Sequence, residues 1–139
     1  MGYRVLAVDD SLLMHKTIAS SLRGTEFEIV GSGMNGREGL ELYKELRPDI
    51  VLMDLIMPNV DGITATRRIM AETPCPILVV SATVGGDMSR VYDAMGAGAL
   101  RGLRDLGIRR ALVAAREVVA DRAGEEQDLL RHVANPSQQ

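Results

Sequence analysis

The sequence predicts a doubly wound α/β fold, in which helices cover both faces of a parallel sheet. Within residues 1–99, short apolar runs rich in branched side chains alternate with stretches of helical periodicity. The runs are apolar at almost every position, which is typical of parallel strands buried on both faces. A length of 139 residues, with 46% hydrophobic and 25% charged residues, fits a single globular domain.

The first strand and helix have clear boundaries in the sequence. Residues 4–8 (RVLAV) predict a buried strand that ends at two carboxylates. Apolar positions then recur with helical spacing over residues 12–22. Ser11 is a suitable N-cap for this helix, and Gly24 is a stop signal after it.

The second strand and helix follow the same pattern. Residues 27–31 (FEIVG) predict a strand. Asn35 is predicted to cap a helix that runs to about residue 46, with Glu38 as the capping-box partner three residues on. Pro48 cannot continue that helix and closes it.

Two further units are predicted before the pattern changes. Residues 50–53 (IVLM) predict the third strand, and Asp61 caps a helix that runs to about residue 72. Residues 77–80 (ILVV) predict the fourth strand, and residues 87–95 predict a helix that two glycines end. Each crossover between these parallel strands should be right-handed.

The last part of the chain differs in composition. It contains neither lysine nor methionine, and an apolar stripe predicts a helix over residues 108–123, with a second over 125–134. A fifth strand is left open, since the only candidate, residues 99–104, carries two arginines and a glycine. The sequence also leaves open whether this ending reflects divergence or a change of reading frame. We therefore divide the chain into a core (1–99), an atypical, mainly helical segment (100–134) and a loose tail (135–139).

Composition argues against several functional classes. The net charge of −3 gives no basic surface for nucleic acid. No apolar run approaches the roughly 18 residues of a membrane span, and the N-terminus does not resemble a signal peptide. The single cysteine, Cys75, excludes an internal disulfide and suits a reducing compartment. We expect a cytoplasmic protein that binds neither nucleic acid nor membrane.

Polar side chains follow three of the predicted strands. Asp9 and Asp10 come directly after the first strand, Asp54 ends the third and Ser81 ends the fourth. The carboxyl ends of parallel strands share one edge of the sheet, where open α/β sheets bind ligands. Crowded carboxylates repel one another, and Mg²⁺ with oxygen ligands relieves that repulsion. One carboxylate of such a cluster can also attack phosphorus, and Asp54 stands out because it interrupts an otherwise apolar run, IVLMDLIMP.

These segments together resemble a known family. VLAVDDS, DIVLMDLIMPNVDGI and ILVVSAT are similar to the receiver domains of two-component response regulators, and the likeness covers residues 3–99. The stretch after Ser81 is most similar to receivers of the chemotaxis methylesterase type. The resemblance implies a flavodoxin-like sheet of order 2-1-3-4-5. It also implies a signal carrier that is at most active in its own phosphorylation and dephosphorylation. We expect no esterase domain, because the Ser-His-Asp machinery of such a domain would need far more chain.

The resemblance also assigns roles to individual residues. It implies that Asp54 accepts a phosphoryl group from a sensor histidine kinase and that the signal passes to a downstream effector protein. It implies Mg²⁺ held by Asp10, Asp54 and the backbone carbonyl of Ile56, with Asp9 acting through water. Ser81 corresponds to the switch hydroxyl that bonds the phosphoryl group.

The chain departs from the family pattern after residue 99. The family lysine that contacts the phosphoryl group should fall near position 105, which is Asp105, and the aromatic switch residue should fall near position 102, which is Gly102. Arg101 or Arg104 would supply charge, but a guanidinium is a broad fork and not a compact ammonium. We expect phosphoryl-driven switching to be weakened or absent.

Two other functions are compatible with the sequence. In the first, the chain is a switching-impaired interaction module, and its C-terminal segment forms a homodimer by swapping or helix pairing. In the second, the chain is a small metal-dependent phosphatase or phosphotransferase that uses Asp54 on free substrates, although no substrate pocket or general acid is evident from the sequence. Phosphorylation of Asp54 by a small phosphodonor with Mg²⁺ would separate the receiver from both.

Four further side chains receive structural interpretations. His15 is predicted to be a solvated helix residue without an acidic partner, and Cys75 an incidental loop thiol. Met53 and Met57 flank Asp54, and packing is the default role for methionine.

Overall fold

A four-stranded parallel sheet forms the centre of the fold. The computed structural model describes residues 2–55, 57, 59–72, 75–79 and 112–113. The elements in chain order are β1 (Tyr3–Val8), α1 (Leu12–Leu22), β2 (Phe27–Gly33), α2 (Gly36–Leu46), β3 (Ile50–Met53), α3 (Gly62–Glu72) and β4 (Ile77–Val79). The strand order is β2-β1-β3-β4 and every pair is parallel, which confirms the predicted doubly wound class. The predicted fifth strand and the predicted helix over 87–95 lie outside the described residues.

Helices cover both faces of the sheet. Alternate residues of β1 point to opposite sides: Leu6 and Val8 join the hydrophobic cluster under α2 and α3, whereas Val5 and Ala7 join the cluster under α1. This arrangement explains why β3 and β4 are apolar and buried at every position. In the described part of the chain, no helix is long and apolar enough to cross a membrane.

The register of the strands places their carboxyl ends at one edge of the sheet. Val8, the last residue of β1, pairs with Gly33 of β2 and with Met53 of β3. Met53 in turn pairs with Val79 at the end of β4. The residues that follow these strands therefore emerge side by side.

The three predicted N-caps within the described residues are confirmed. In each case the capping side chain accepts a backbone N–H three residues on: Ser11 from Met14 at 3.2 Å, Asn35 from Glu38 at 2.9 Å and Asp61 from Thr64 at 2.8 Å. The capping box differs in one detail, because the Glu38 carboxylate accepts the N–H of Met34 (3.0 Å). Arg47 ends α2 in the left-handed conformation just before Pro48.

The second strand is longer than predicted. It continues to Gly33, although the sequence predicted an end at residue 31. The pairing with β1 steps from Ile29 to Gly31, so Val30 is the extra residue of a bulge. Pairing then continues through the small residues Ser32 and Gly33, which have little strand propensity of their own.

Two residues of the predicted helix over 108–123 lie within the described part of the chain. Leu112 and Val113 are helical, and Leu112 is fully buried in the cluster that contains Ile18 and Leu22 of α1. The sheet therefore buries this part of the apolar stripe within the same chain. The remainder of that helix, the second predicted helix and the tail lie outside the described residues.

Cys75 is buried beside the amino end of β3. Its side chain is 5% exposed, and Sγ lies 3.4 Å from the carbonyl oxygen of Asp49. It is outside the helices and strands, as predicted, but it packs as part of the core.

Candidate functional site

Three carboxylates meet at the carboxyl edge of the sheet. Asp9 and Asp10 follow β1, and Asp54 follows β3. One oxygen atom from each side chain lies within 4.8 Å of the others. The convergence expected from the sequence is therefore present.

Backbone hydrogen bonds fix the start of both acidic segments. The Asp54 N–H donates to the carbonyl of Val8 at 2.9 Å, and the Asp9 N–H donates to the carbonyl of Gly33 at 3.0 Å. Pairing across β2, β1 and β3 thus continues one residue beyond the strands. The sheet itself therefore positions the backbone at the start of both acidic segments.

The three carboxylates differ in burial. Asp9 is 4% exposed, Asp54 is partly buried and Asp10 is exposed. Burial raises the pKa of Asp9 above its ordinary value, and the neighbouring charge of Asp10 raises it further. The Ser11 N–H, which donates to Asp9 Oδ1 at 2.9 Å, and the nearby His15 lower that pKa but do not offset the burial.

We predict that Asp9→Asn stabilises the metal-free protein at neutral pH. A carboxyl whose pKa is raised by folding binds more protons when folded, so its contribution to stability is present below the unfolded pKa and is lost as pH rises through the folded pKa. Asn keeps an acceptor for Ser11 without the charge. Thermal unfolding should show a higher Tm for the variant at pH 7, by about 3–5 °C for each kcal/mol gained.

The pH dependence provides the control for this prediction. The gain should shrink as pH falls through the raised pKa of Asp9 and should be lost below about pH 4, where this carboxyl is protonated in both the folded and the unfolded wild type. Millimolar Mg²⁺ should raise the Tm of the wild type more than that of the variant. If the Tm difference between the variant and the wild type were the same at acid and at neutral pH, the burial of the Asp9 charge could not be its cause.

The segment after Asp54 is packed closely. Met53, Leu55 and Met57 are buried, so the packing role predicted for the two methionines is confirmed. The N–H of Gly62, at the start of α3, donates to the Leu55 carbonyl at 3.1 Å. A Cβ atom on Gly62 would overlap the carbonyl oxygen of Asp54 and lie 2.8 Å from Leu55 Cα. Only a glycine fits where α3 meets the chain that carries Asp54.

The solvated position predicted for His15 is wrong. Its side chain is half-buried, and Nε2 lies 2.8 Å from the carbonyl oxygen of Asp9. The sequence offered no signal for this contact, because the partner is a backbone atom and not an acidic side chain.

The donor set suits a hard divalent cation. Three carboxylates offer only oxygen ligands, and the buried one is costly to ionise without a compensating charge. Asp9, Asp10 and Asp54 are the residues that could hold Mg²⁺. Ile56, Ser81 and the position of the expected lysine, Asp105, lie outside the described residues.

Comparison with known proteins identifies relatives along most of the chain. The family model of the response regulator receiver domain matches residues 5–104. A protein-glutamate methylesterase/protein-glutamine glutaminase of Mesorhizobium japonicum is 52% identical over 75 residues, which is 54% of this chain and 22% of the relative. A protein of the same name from Cupriavidus pinatubonensis is 44% identical over 98 residues, covering 70% of this chain and 29% of the relative. The chain thus spans less than a third of the length of these relatives.

Solved structures share the fold. The response regulator domain of Thermotoga maritima CheB has a TM-score of 0.66 and 28% identity, covering 92% of this chain and 96% of that one. The structure of a CheX-CheY-BeF3-Mg+2 complex from Borrelia burgdorferi has a TM-score of 0.69 and 29% identity, covering 84% and 88%.

Proposed function

The chain belongs to the response regulator receiver domain family, and from this premise we propose that it is a phosphorylatable switch whose phosphoacceptor is Asp54. The observation that carries the proposal is the meeting of Asp54 with Asp9 and Asp10 at the carboxyl edge of the sheet. Asp54 is partly buried and follows a rigid, fully buried strand, so its carboxylate is held beside two others without being sealed from a donor.

The proposed reaction is transfer of a phosphoryl group from a phosphohistidine of a sensor kinase. A carboxylate oxygen of Asp54 forms a bond to phosphorus, the bond between phosphorus and the imidazole nitrogen breaks, and its electron pair stays on that nitrogen. The products are an aspartyl phosphate and a neutral kinase histidine once protons have equilibrated with water. Hydrolysis of the aspartyl phosphate by water then resets the switch.

We propose Mg²⁺ as the cofactor of this reaction. Asp10 and Asp54 would bind it directly, Asp9 through water, and the backbone carbonyl of Ile56 would complete the protein ligands. When bound, the cation supplies positive charge that offsets the charge of the transferring group and of the crowded carboxylates. The oxygen-only donor set and the raised pKa of Asp9 support this choice. The Borrelia burgdorferi complex, a structural relative, contains both Mg²⁺ and BeF3.

We assign the switch to a chemotaxis or related pathway. The curated relatives named above are methylesterase/glutaminases, and CheB and CheY structures are among the neighbours. The receiver acts here as a signal carrier between a histidine kinase and a downstream effector, in the cytoplasm, and not as an enzyme on free substrates. The enzymatic names belong to proteins more than three times as long as the matched region.

The output side of the switch rests on residues outside the described part of the chain. Ser81 would bond the phosphoryl group, while the absence of a lysine at position 105 would weaken the response. The alternative of self-association through segment 100–134 has one observation against it, since Leu112 is buried against its own sheet. We therefore place the receiver function first.

Phosphorylation of the full chain by acetyl phosphate tests the proposal. With Mg²⁺ present, intact mass spectrometry should show one added phosphoryl group per chain, and a chelator should suppress it. In parallel, an NMR titration with Mg²⁺ should shift the amides of Asp9, Asp10 and Asp54 before other amides. No added mass and no shift at these residues would rule out the proposed function.

A further inference from the structure

We propose that His15 is a positioning residue: its ring holds the turn between β1 and α1 and so orients Asp9 and Asp10 toward Asp54. Its effect on Mg²⁺ binding rests on the proposed function, whereas its effect on the turn does not. The inference starts from a contact between the ring and the backbone of Asp9 that the phosphoacceptor chemistry does not itself require.

The ring is oriented by its place on α1. The backbone N–H of His15 donates to the Ser11 carbonyl at 3.2 Å in the first turn of the helix. From there the side chain reaches back, and Nε2 lies 2.8 Å from the Asp9 carbonyl oxygen. A carbonyl oxygen only accepts, so Nε2 carries the hydrogen in this contact.

The surroundings of the other ring nitrogen, Nδ1, show that packing alone does not explain a histidine at this position. Nδ1 is buried and has no hydrogen-bond partner among the described residues. Buried polar atoms without partners lower stability and are uncommon. An apolar side chain would fill the same space without that cost, so packing alone does not account for a histidine here. The bond from Nε2 to Asp9 does account for it.

That bond completes the attachment of Asp9. Its N–H is held by the Gly33 carbonyl at 3.0 Å and its carboxylate by the Ser11 N–H at 2.9 Å. The carbonyl held by His15 belongs to the peptide that links Asp9 to Asp10, so fixing this carbonyl fixes the direction in which Asp10 leaves the sheet. Asp10 is exposed and receives no positioning from core packing.

Removal of the ring should therefore loosen the turn without disturbing the sheet. The Ser11 N–H, which donates to Asp9, should exchange with solvent faster. Mg²⁺ affinity should fall about tenfold, the lower end of the range that is typical when a hydrogen bond that orients a metal ligand is lost.

The test compares His15→Leu with His15→Gln in the full chain. Leu fills space but has no donor, whereas the Gln side-chain nitrogen stands as many bonds from Cβ as Nε2 does. Lys16→Leu, at the exposed neighbouring position, is the matched control for an added apolar side chain. The readouts are Ser11 amide exchange without metal, the Mg²⁺ dissociation constant from amide shifts, and the ¹⁵N spectrum of the wild-type ring.

The expected result is faster Ser11 exchange and weaker Mg²⁺ binding in His15→Leu, with both restored in His15→Gln and unchanged in Lys16→Leu. The wild-type ring should be the Nε2–H tautomer. Wild-type Ser11 exchange in His15→Leu, failure of Gln to restore it, or an Nδ1–H tautomer would each overturn the inference. The tautomer decides the matter even if a variant does not fold. If Mg²⁺ does not shift the amides of the wild type, the proposed function fails. The exchange of the Ser11 amide still tests whether His15 holds the turn.

Discussion

Asp54→Asn is expected to abolish phosphoryl uptake. The amide has no anionic oxygen to attack phosphorus, and the change removes one of three carboxylates whose oxygens lie within 4.8 Å of one another. The shape of the side chain is kept, so the fold should persist. Intact mass spectrometry after incubation with acetyl phosphate and Mg²⁺ should show no added phosphoryl group on the variant.

Asp49→Asn is the matched control for this experiment. Asp49 lies just before β3, at the opposite end of the strand from Asp54. Its Oδ2 accepts the Arg4 N–H at 2.8 Å, and an Asn at this position retains an acceptor for that bond. The control should be phosphorylated at the wild-type rate. Labelling of Asp54→Asn at the wild-type rate would show that another residue is the phosphoacceptor.

Much of the sheet could be predicted because the polarity of the side chains along a strand indicates which of its faces are buried. A strand such as residues 50–53 is apolar at every position only if both faces are covered. The caps could be predicted for a similar reason, since Ser11, Asn35 and Asp61 act on backbone atoms three residues away. The strand order was predicted from the family resemblance, because the composition of an apolar strand does not indicate which strand lies beside it in the sheet.

The site could be predicted in position but not in environment. Asp9, Asp10 and Asp54 were expected to meet because parallel strands end at a common edge. The sequence did not show that Asp9 would be buried and its neighbour Asp10 exposed, since this depends on which face each residue presents after the strand ends. The contact from His15 to Asp9 was missed because a backbone carbonyl is available at every residue and leaves no pattern.

Gly62→Ala, which adds a single methyl group, is expected to destabilise the fold more than the substitutions at Asp9, His15, Asp49 or Asp54. A Cβ at this position would overlap the Asp54 carbonyl oxygen and press on Leu55 Cα. Both contacts are with backbone, which cannot rotate away as the end of a long side chain can. Overpacking of this kind typically costs about 1–3 kcal/mol and more when the backbone must move, so we expect Gly62→Ala to cost about 3 kcal/mol.

Gly24→Ala separates this steric effect from the general cost of replacing a glycine. Gly24 has a φ of +75°, and a Cβ there would meet no atom within 4 Å. Its substitution should cost about 1–2 kcal/mol through the left-handed backbone conformation alone. Urea denaturation of the full chain should give a clearly lower midpoint for Gly62→Ala than for Gly24→Ala, with similar m-values.

The same pair of variants also separates stability from the geometry around Asp54. Both alanines destabilise, but only the one at position 62 pushes on the chain that carries the proposed phosphoacceptor. Under conditions where both variants are folded, Gly62→Ala should be phosphorylated more slowly than wild type, because a displaced Asp54 no longer meets Asp9 and Asp10 in the same arrangement. Gly24→Ala should keep the wild-type rate. Equal midpoints and equal rates for the two variants would show that a small shift of α3 relieves the contact and that Gly62 does not control the position of Asp54.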